Sequence, residues 1–128
     1  MPYVLHHSAL ITLLFSQKGA DEIEKRLGGA KLSVLTYADV LAYLADRGLD
    51  TDEAIKDLSD LDVTLADMDQ ACAEEAARLY RPTQAADLSL SDRACLALAR
   101  MLERPVLTTN ASWAELPETV GVTIKVVG

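Results

Sequence analysis

The sequence predicts a three-layer α/β/α sandwich around a parallel sheet of about five strands. Short β-prone runs alternate with amphipathic helical stretches from one end to the other, the pattern of βα units whose sheet is covered on both faces. The 128 residues suit a single domain, 1–128, and leave little room for a second core. Half of them are hydrophobic and a quarter are charged, a globular composition with no lean toward disorder.

The elements follow in order. Tyr3-Val4-Leu5 reads as a first strand, and Ser8 stands where a helix N-cap belongs, ahead of the nearly all-apolar stretch Ala9 to Phe15. Ala20, Ile23 and Leu27 form one stripe of a more charged helix that Gly28-Gly29 ends. Lys31 to Val34 fits a second strand. Thr36 to Arg47 carries the helical stripe Ala38, Leu41, Leu44 and Ala45, closed by Gly48. Thr51 or Asp52 opens a helix with Ile55 and Leu58, and Val63-Thr64-Leu65 is a third strand. Asp67 is placed to cap the helix of Met68, Cys72, Ala76 and Leu79, which Arg81-Pro82-Thr83 breaks. Ser89 and Asp92 make a capping-box start for the helix Arg93 to Glu103. Val106-Leu107-Thr108 and Val122 to Val127 complete the strands.

Composition removes several function classes. Twenty acidic against twelve basic residues give a formal charge of −8, which argues against gripping nucleic acid by charge alone. A local carboxylate cluster remains compatible with that balance. The apolar run Ala9 to Phe15 is far too short to span a membrane, and it lacks the flanks of a secretory signal. Cys72 and Cys95 lie within helical patterns without a CxxC, so buried free thiols are expected. The expected setting is a reducing compartment, the cytoplasm.

No GxGxxG follows a strand, and neither GxxxxGK[ST] nor GxSxG occurs. In parallel sheets, sites form beyond the carboxyl ends of strands. The polar residues there and at helix starts are His6, His7, Asp39, Asp67, Asp92, Thr108 and Asn110. On a strand, His6 and His7 would point to opposite faces. Asp92 also suits the first turn of a helix, and Asn110 suits an N-cap for Ala111 to Leu116. A phosphorylated receiver domain is disfavoured, because His6 and His7 stand where its acidic pair belongs.

Four motifs carry a family resemblance. Val4-Leu5-His6-His7-Ser8-Ala9-Leu10 is similar to the Val-Leu-Asp-Ala-Ser-Ala-Leu that opens many PIN domains. Thr36-Tyr37-Ala38-Asp39-Val40-Leu41 resembles the second motif, which usually ends in Glu-Val-Leu. The run from Leu88 to Ala99, with Ser91-Asp92-Arg93 at its start, resembles the third and is the most specific. Val106-Leu107-Thr108-Thr109-Asn110-Ala111-Ser112-Trp113 resembles the fourth, normally Val-Leu-Thr-Ala-Asp-Arg-Ala-Trp. They appear in the family's order and spacing. The chain thus resembles VapC toxins of type II toxin–antitoxin modules: magnesium- or manganese-dependent ribonucleases of PIN-like fold, held inactive by a VapB partner.

The resemblance implies that Asp39 and Asp92 hold the metal and act catalytically, with Ser8 and Thr108 as supporting hydroxyls. His6 and Asn110 stand where the family's first and fourth aspartates belong. Halving the carboxylate charge predicts weak or absent Mg²⁺ binding, since that ion is held through oxygen ligands in an octahedral shell. An imidazole at position 6 suits zinc, nickel, copper or iron better. Two readings therefore stand: a metal-dependent endoribonuclease acting on RNA, or a degenerate PIN domain that binds or sequesters an antitoxin without cutting. The resemblance also implies a homodimer and a VapB-like antitoxin partner. Leu10, Leu13, Leu14 and Phe15, joined by Leu41 and Leu44, exceed what one buried helix face requires.

Overall fold

A computed structural model describes residues 2–128 of the chain. Five parallel strands form one sheet in the order β3-β2-β1-β4-β5. They are β1 (Val4–Leu5), β2 (Ala30–Ser33), β3 (Val63–Ala66), β4 (Val106–Thr108) and β5 (Ile124–Val126). Among the described residues six α-helices surround them: α1 (His7–Leu14), α2 (Ala20–Lys25), α3 (Val34–Asp46), α4 (Thr51–Ser59), α5 (Gln70–Arg78) and α6 (Leu90–Leu102). The three-layer architecture expected from the alternation is the one observed.

Strand alternation divides the core into two layers. On β1, Leu5 packs with α1 to α4 through Leu10, Ile23, Val40, Leu44 and Leu58, and with Leu32 of β2. Val4 packs on the other face with Cys72, Ala76, Leu79, Leu96 and Trp113. Leu107 and Val106 of β4 repeat the division. β1 is central and paired on both sides, Val4 with Lys31 and with Val106. Its carboxyl end therefore opens where the strand order reverses, the usual place for a site in such sheets.

Several element bounds differ from the sequence expectation; among the strands, β5 covers Ile124–Val126 and not 122–127. α1 begins at His7, so His6 occupies the N-cap position and Ser8 lies inside the first turn. The cap of α5 is Asp69, whose side chain accepts from Cys72 N at 2.9 Å, and not Asp67. β3 pairs with β2 as far as Ala66, and the chain runs without helical structure over 67–69 before turning into α5. α3 starts at Val34 because the Ser33 hydroxyl accepts from Leu35 N at 3.2 Å. The expected capping box is present, with Ser89 as N-cap of α6 and Asp92 at its third position.

Candidate functional site

The carboxyl edge of β1 and β4 gathers the candidate residues. His6 leaves the end of β1 and is 2% exposed. Its Nε2 lies 2.9 Å from Asp92 Oδ1. The capping box aims that carboxylate: Ser89 N–H donates to Asp92 Oδ2 at 3.1 Å, and Asp92 N–H returns a bond to Ser89 Oγ at 3.1 Å. Burial pushes the Asp92 carboxyl up, but the bonds from His6 and Ser89 together outweigh it and hold it below the ordinary range. Asp92 is therefore ionised at neutral pH, and His6 Nε2–H is the donor between them.

The opposite ring nitrogen is held as closely. His6 Nδ1 lies 2.8 Å from Ser8 Oγ and 2.9 Å from Thr108 Oγ1, and the two hydroxyls are 3.1 Å apart. Each hydroxyl oxygen also accepts a backbone N–H, Ser8 from Thr109 at 2.9 Å and Thr108 from Asn110 at 3.0 Å. In a neutral ring with Nε2 protonated, Nδ1 accepts one hydroxyl proton while the other bridges the oxygens. The indole of Trp113, itself 2% exposed, packs at a tilt against His6, with centroids 4.1 Å and planes 40° apart.

Asp39 and Asn110 sit at the margins. Asp39 lies on α3, where Ser91 Oγ donates a short hydrogen bond to its Oδ2. That bond ties it to the residue preceding Asp92. Asn110 Oδ1 accepts from Ser112 N at 3.1 Å and Ser112 Oγ at 2.7 Å, capping the 3-10 turn Ala111–Glu115 as its sequence position suggests. Its side chain is directed into the turn and is exposed.

His7 departs from the alternation expected of a strand. β1 ends at Leu5, so His6 and His7 straddle a helix start, and their side chains are not sent to opposite faces. Their rings lie 4.1 Å apart, and His7 Nε2 comes within 3.8 Å of Asp92 Oδ1. Burial and then the neighbouring His6 hold the His7 imidazole below its usual range, with Asp92 and Asp39 pulling the other way. His7 also lines a cleft between α1 and α3 with Ile11, Asp39, Val40 and Tyr43. Ser91 and Trp113 are further members that sequence reading did not single out; for Trp113 the signal available was its place in the fourth motif.

The family model for the PIN domain matches residues 3–118. The chain belongs to that family. No curated protein sequence matches. Among solved structures, this PIN domain is similar to a chain of a toxin–antitoxin complex from Klebsiella pneumoniae, with a TM-score of 0.72 at 22% identity over 90% of this chain and 92% of that one. It is similar to a chain of VapBC2 from Rickettsia felis bound to a DNA fragment from its promoter, with a TM-score of 0.74 at 11% identity over all of both chains. It is likewise similar to a chain of DNA-bound VapBC from Salmonella typhimurium, with a TM-score of 0.73 at 15% identity over 98% and 97%. At these identities the likeness is one of fold.

PIN domains work with divalent metal, and the donor set of this one does not suit magnesium. Both Asp92 oxygens accept protein hydrogen bonds, Asp39 Oδ2 accepts from Ser91, and Asn110 Oδ1 is committed to Ser112. The most enclosed group is an imidazole, a nitrogen donor, where a hard ion wants oxygen.

Proposed function

We propose that this PIN domain is VapC-like, the toxin-type half of a type II toxin–antitoxin pair, and that it acts by binding a VapB-like antitoxin instead of by magnesium-dependent cleavage of RNA. The observation that carries the reading is the contact of His6 with Asp92. A protonated nitrogen occupies the place where a cation would neutralise the carboxylate, and two hydroxyls and an indole hold the ring there. Ser8 and Thr108, which support a metal ligand in the resemblance, here support the histidine. Asp39 and Asp92, the catalytic pair of that resemblance, remain without the first and fourth acids. A chain of this kind works in the cytoplasm by competing with catalytic relatives for the antitoxin.

The partner's chemistry follows from a groove between α1, α3 and α4. Leu14, Phe15, Leu44, Leu49, Ala54 and Leu58 line it, with Asp50, Glu53 and Asp57 beside them. Leu10 and Leu44 are buried within the monomer, but Phe15 and Leu49 are 40% and 47% exposed. An amphipathic segment with apolar and basic residues fits this surface. The same apolar residues supply a homodimer contact.

Two assays test the reading. Purified protein incubated with structured and single-stranded RNA in millimolar Mg²⁺ or Mn²⁺ is expected to leave the RNA intact. Co-expression with the product of the adjacent reading frame is expected to yield a stable complex. RNA cleavage abolished by Asp92→Asn would restore the endoribonuclease reading, and failure to recover a complex would remove the antitoxin.

A further inference from the structure

We infer that His6, His7 and Asp92 form a binding site for a transition-metal dication of the zinc class. The inference rests on the premise above that this cleft has exchanged oxygen donors for nitrogen donors. It assigns a role to His7, which has no counterpart among the family's four acidic positions.

The three side chains each bring one ligand atom within 4.8 Å of the other two. Two donors about 2.1 Å from one ion lie about 3.0 Å apart at a right angle and about 3.4 Å apart in a tetrahedron. His6 Nε2 and Asp92 Oδ1, at 2.9 Å, already stand near the first separation. His7 Nε2, at 3.8 Å from the same oxygen, stands a few tenths of an ångström beyond the second, and its side chain is 44% exposed.

The surroundings of His6 favour ligation as well as the hydrogen bond. Ligation through Nε2 requires the tautomer protonated at Nδ1. Nε2 gives its proton up to solvent, and Nδ1 carries one in the ligating form. Ser8 Oγ and Thr108 Oγ1, at 2.8 and 2.9 Å, can accept from Nδ1–H as readily as they donate to a bare nitrogen. A ring whose second nitrogen is bonded and whose face is packed on Trp113 is an oriented ligand. His6 is closed to solvent, whereas His7 faces the cleft shared with Asp39.

The donor count sets the selectivity. Two imidazoles and one carboxylate leave a dication with a residual positive charge and room for water, a set that suits Zn²⁺, Co²⁺ or Ni²⁺ and not Mg²⁺. Such an ion would join the end of β1 and the start of α1 to the start of α6.

The test uses tag-free, metal-stripped protein. Calorimetry is expected to find one Zn²⁺ per chain, with no saturable Mg²⁺ binding at the same concentrations. Affinity should fall at least tenfold in both His7→Ala and His7→Gln, and Zn²⁺ should raise the melting temperature of the parent but not of either variant. Co²⁺ should give visible absorption bands that Zn²⁺ displaces. Absent binding, equal binding by parent and variants, or Mg²⁺ as tight as Zn²⁺ would overturn the site. RNA cleavage and antitoxin capture, measured on the same preparation, report separately on the reading it rests on.

Discussion

His6 Nε2 lies 2.9 Å from Asp92 Oδ1, joining the end of the central strand to the first turn of α6 across most of the sequence. The pair stands between a backbone cap on one side and two hydroxyls on the other. An N–H donor facing an ionised carboxylate makes a charge-assisted bond. The contact therefore serves the fold as it stands, whether or not a cation ever enters.

Acid should weaken the fold in two stages. His7, faced by His6, Asp92 and Asp39, has its folded pKa below the unfolded value of about 6.5. The unfolded chain then binds the extra proton first, so stability falls as pH drops from about 6.5 toward the folded value. Asp92 has its folded pKa below the unfolded value of about 3.9, so its contribution is present above that pH and is lost as pH falls through the folded value. Urea melts across pH should show His7→Gln flattening the first stage and Asp92→Asn flattening the second.

Much of the fold was legible because local signals agreed with one another. Ser89 and Asp92 announce α6, and Gly28-Gly29 closes the segment before β2. The errors came where tertiary pairing overrode a local signal. Ser8 resembles a cap, yet its hydroxyl bonds to His6, Thr108 and Thr109, and helical geometry begins one residue earlier. The neighbourhood of His7 was hidden for the same reason, because periodicity assigns faces only once the end of β1 is known. The bond from Ser91 to Asp39 joins distant helices, and no spacing rule reports such a contact.

Removing the cap separates its role from that of the site. Ser89→Ala deletes the oxygen that accepts Asp92 N–H but keeps the backbone N–H that holds Asp92 Oδ2. A loss of about 1 kcal/mol is expected in urea unfolding. The pH stage assigned to Asp92 should persist in this variant.

The cysteines should be silent in the native state. Cys95 is fully buried, with its Sγ 3.5 Å from Leu5 O, and burial pushes its thiol far above the ordinary range. Cys72 is raised by burial and then by Asp69 and Glu75. Little thiolate is available to either, so a thiol reagent such as DTNB should modify neither until denaturant is added, and then both.

The groove makes a separable prediction about assembly. Phe15 packs edge-on against Tyr43 at a centroid distance of 6.2 Å but remains 40% exposed. Phe15→Glu should change monomer stability by only about 0.5 kcal/mol, as for other surface substitutions. It should nonetheless shift a dimer toward monomer in sedimentation equilibrium and weaken antitoxin capture. Unchanged assembly and capture would move both contacts elsewhere.

Restoring the missing acids tests whether charge alone separates this cleft from a magnesium site. His6→Asp removes the donor to Asp92 and sets a carboxylate beside an ionised one, which cannot both stay charged without a cation. Without metal the variant should lose about 3 kcal/mol, the range for breaking a buried pair. Asn110→Asp should be nearly neutral by itself, because Asp caps the turn starting at Ala111 as well as Asn does. The double variant should then be unstable alone and rescued by Mg²⁺, with calorimetric affinity at least tenfold above the parent's. Its melting temperature should rise with Mg²⁺ concentration, because an ion that binds only the folded state stabilises it by mass action. Instability without rescue would place the defect in Asp39, whose carboxylate is held by Ser91 and whose side chain is one methylene shorter than the family's usual Glu. Asp39→Glu together with Ser91→Ala, added to the double variant, should in that case recover the Mg²⁺ response.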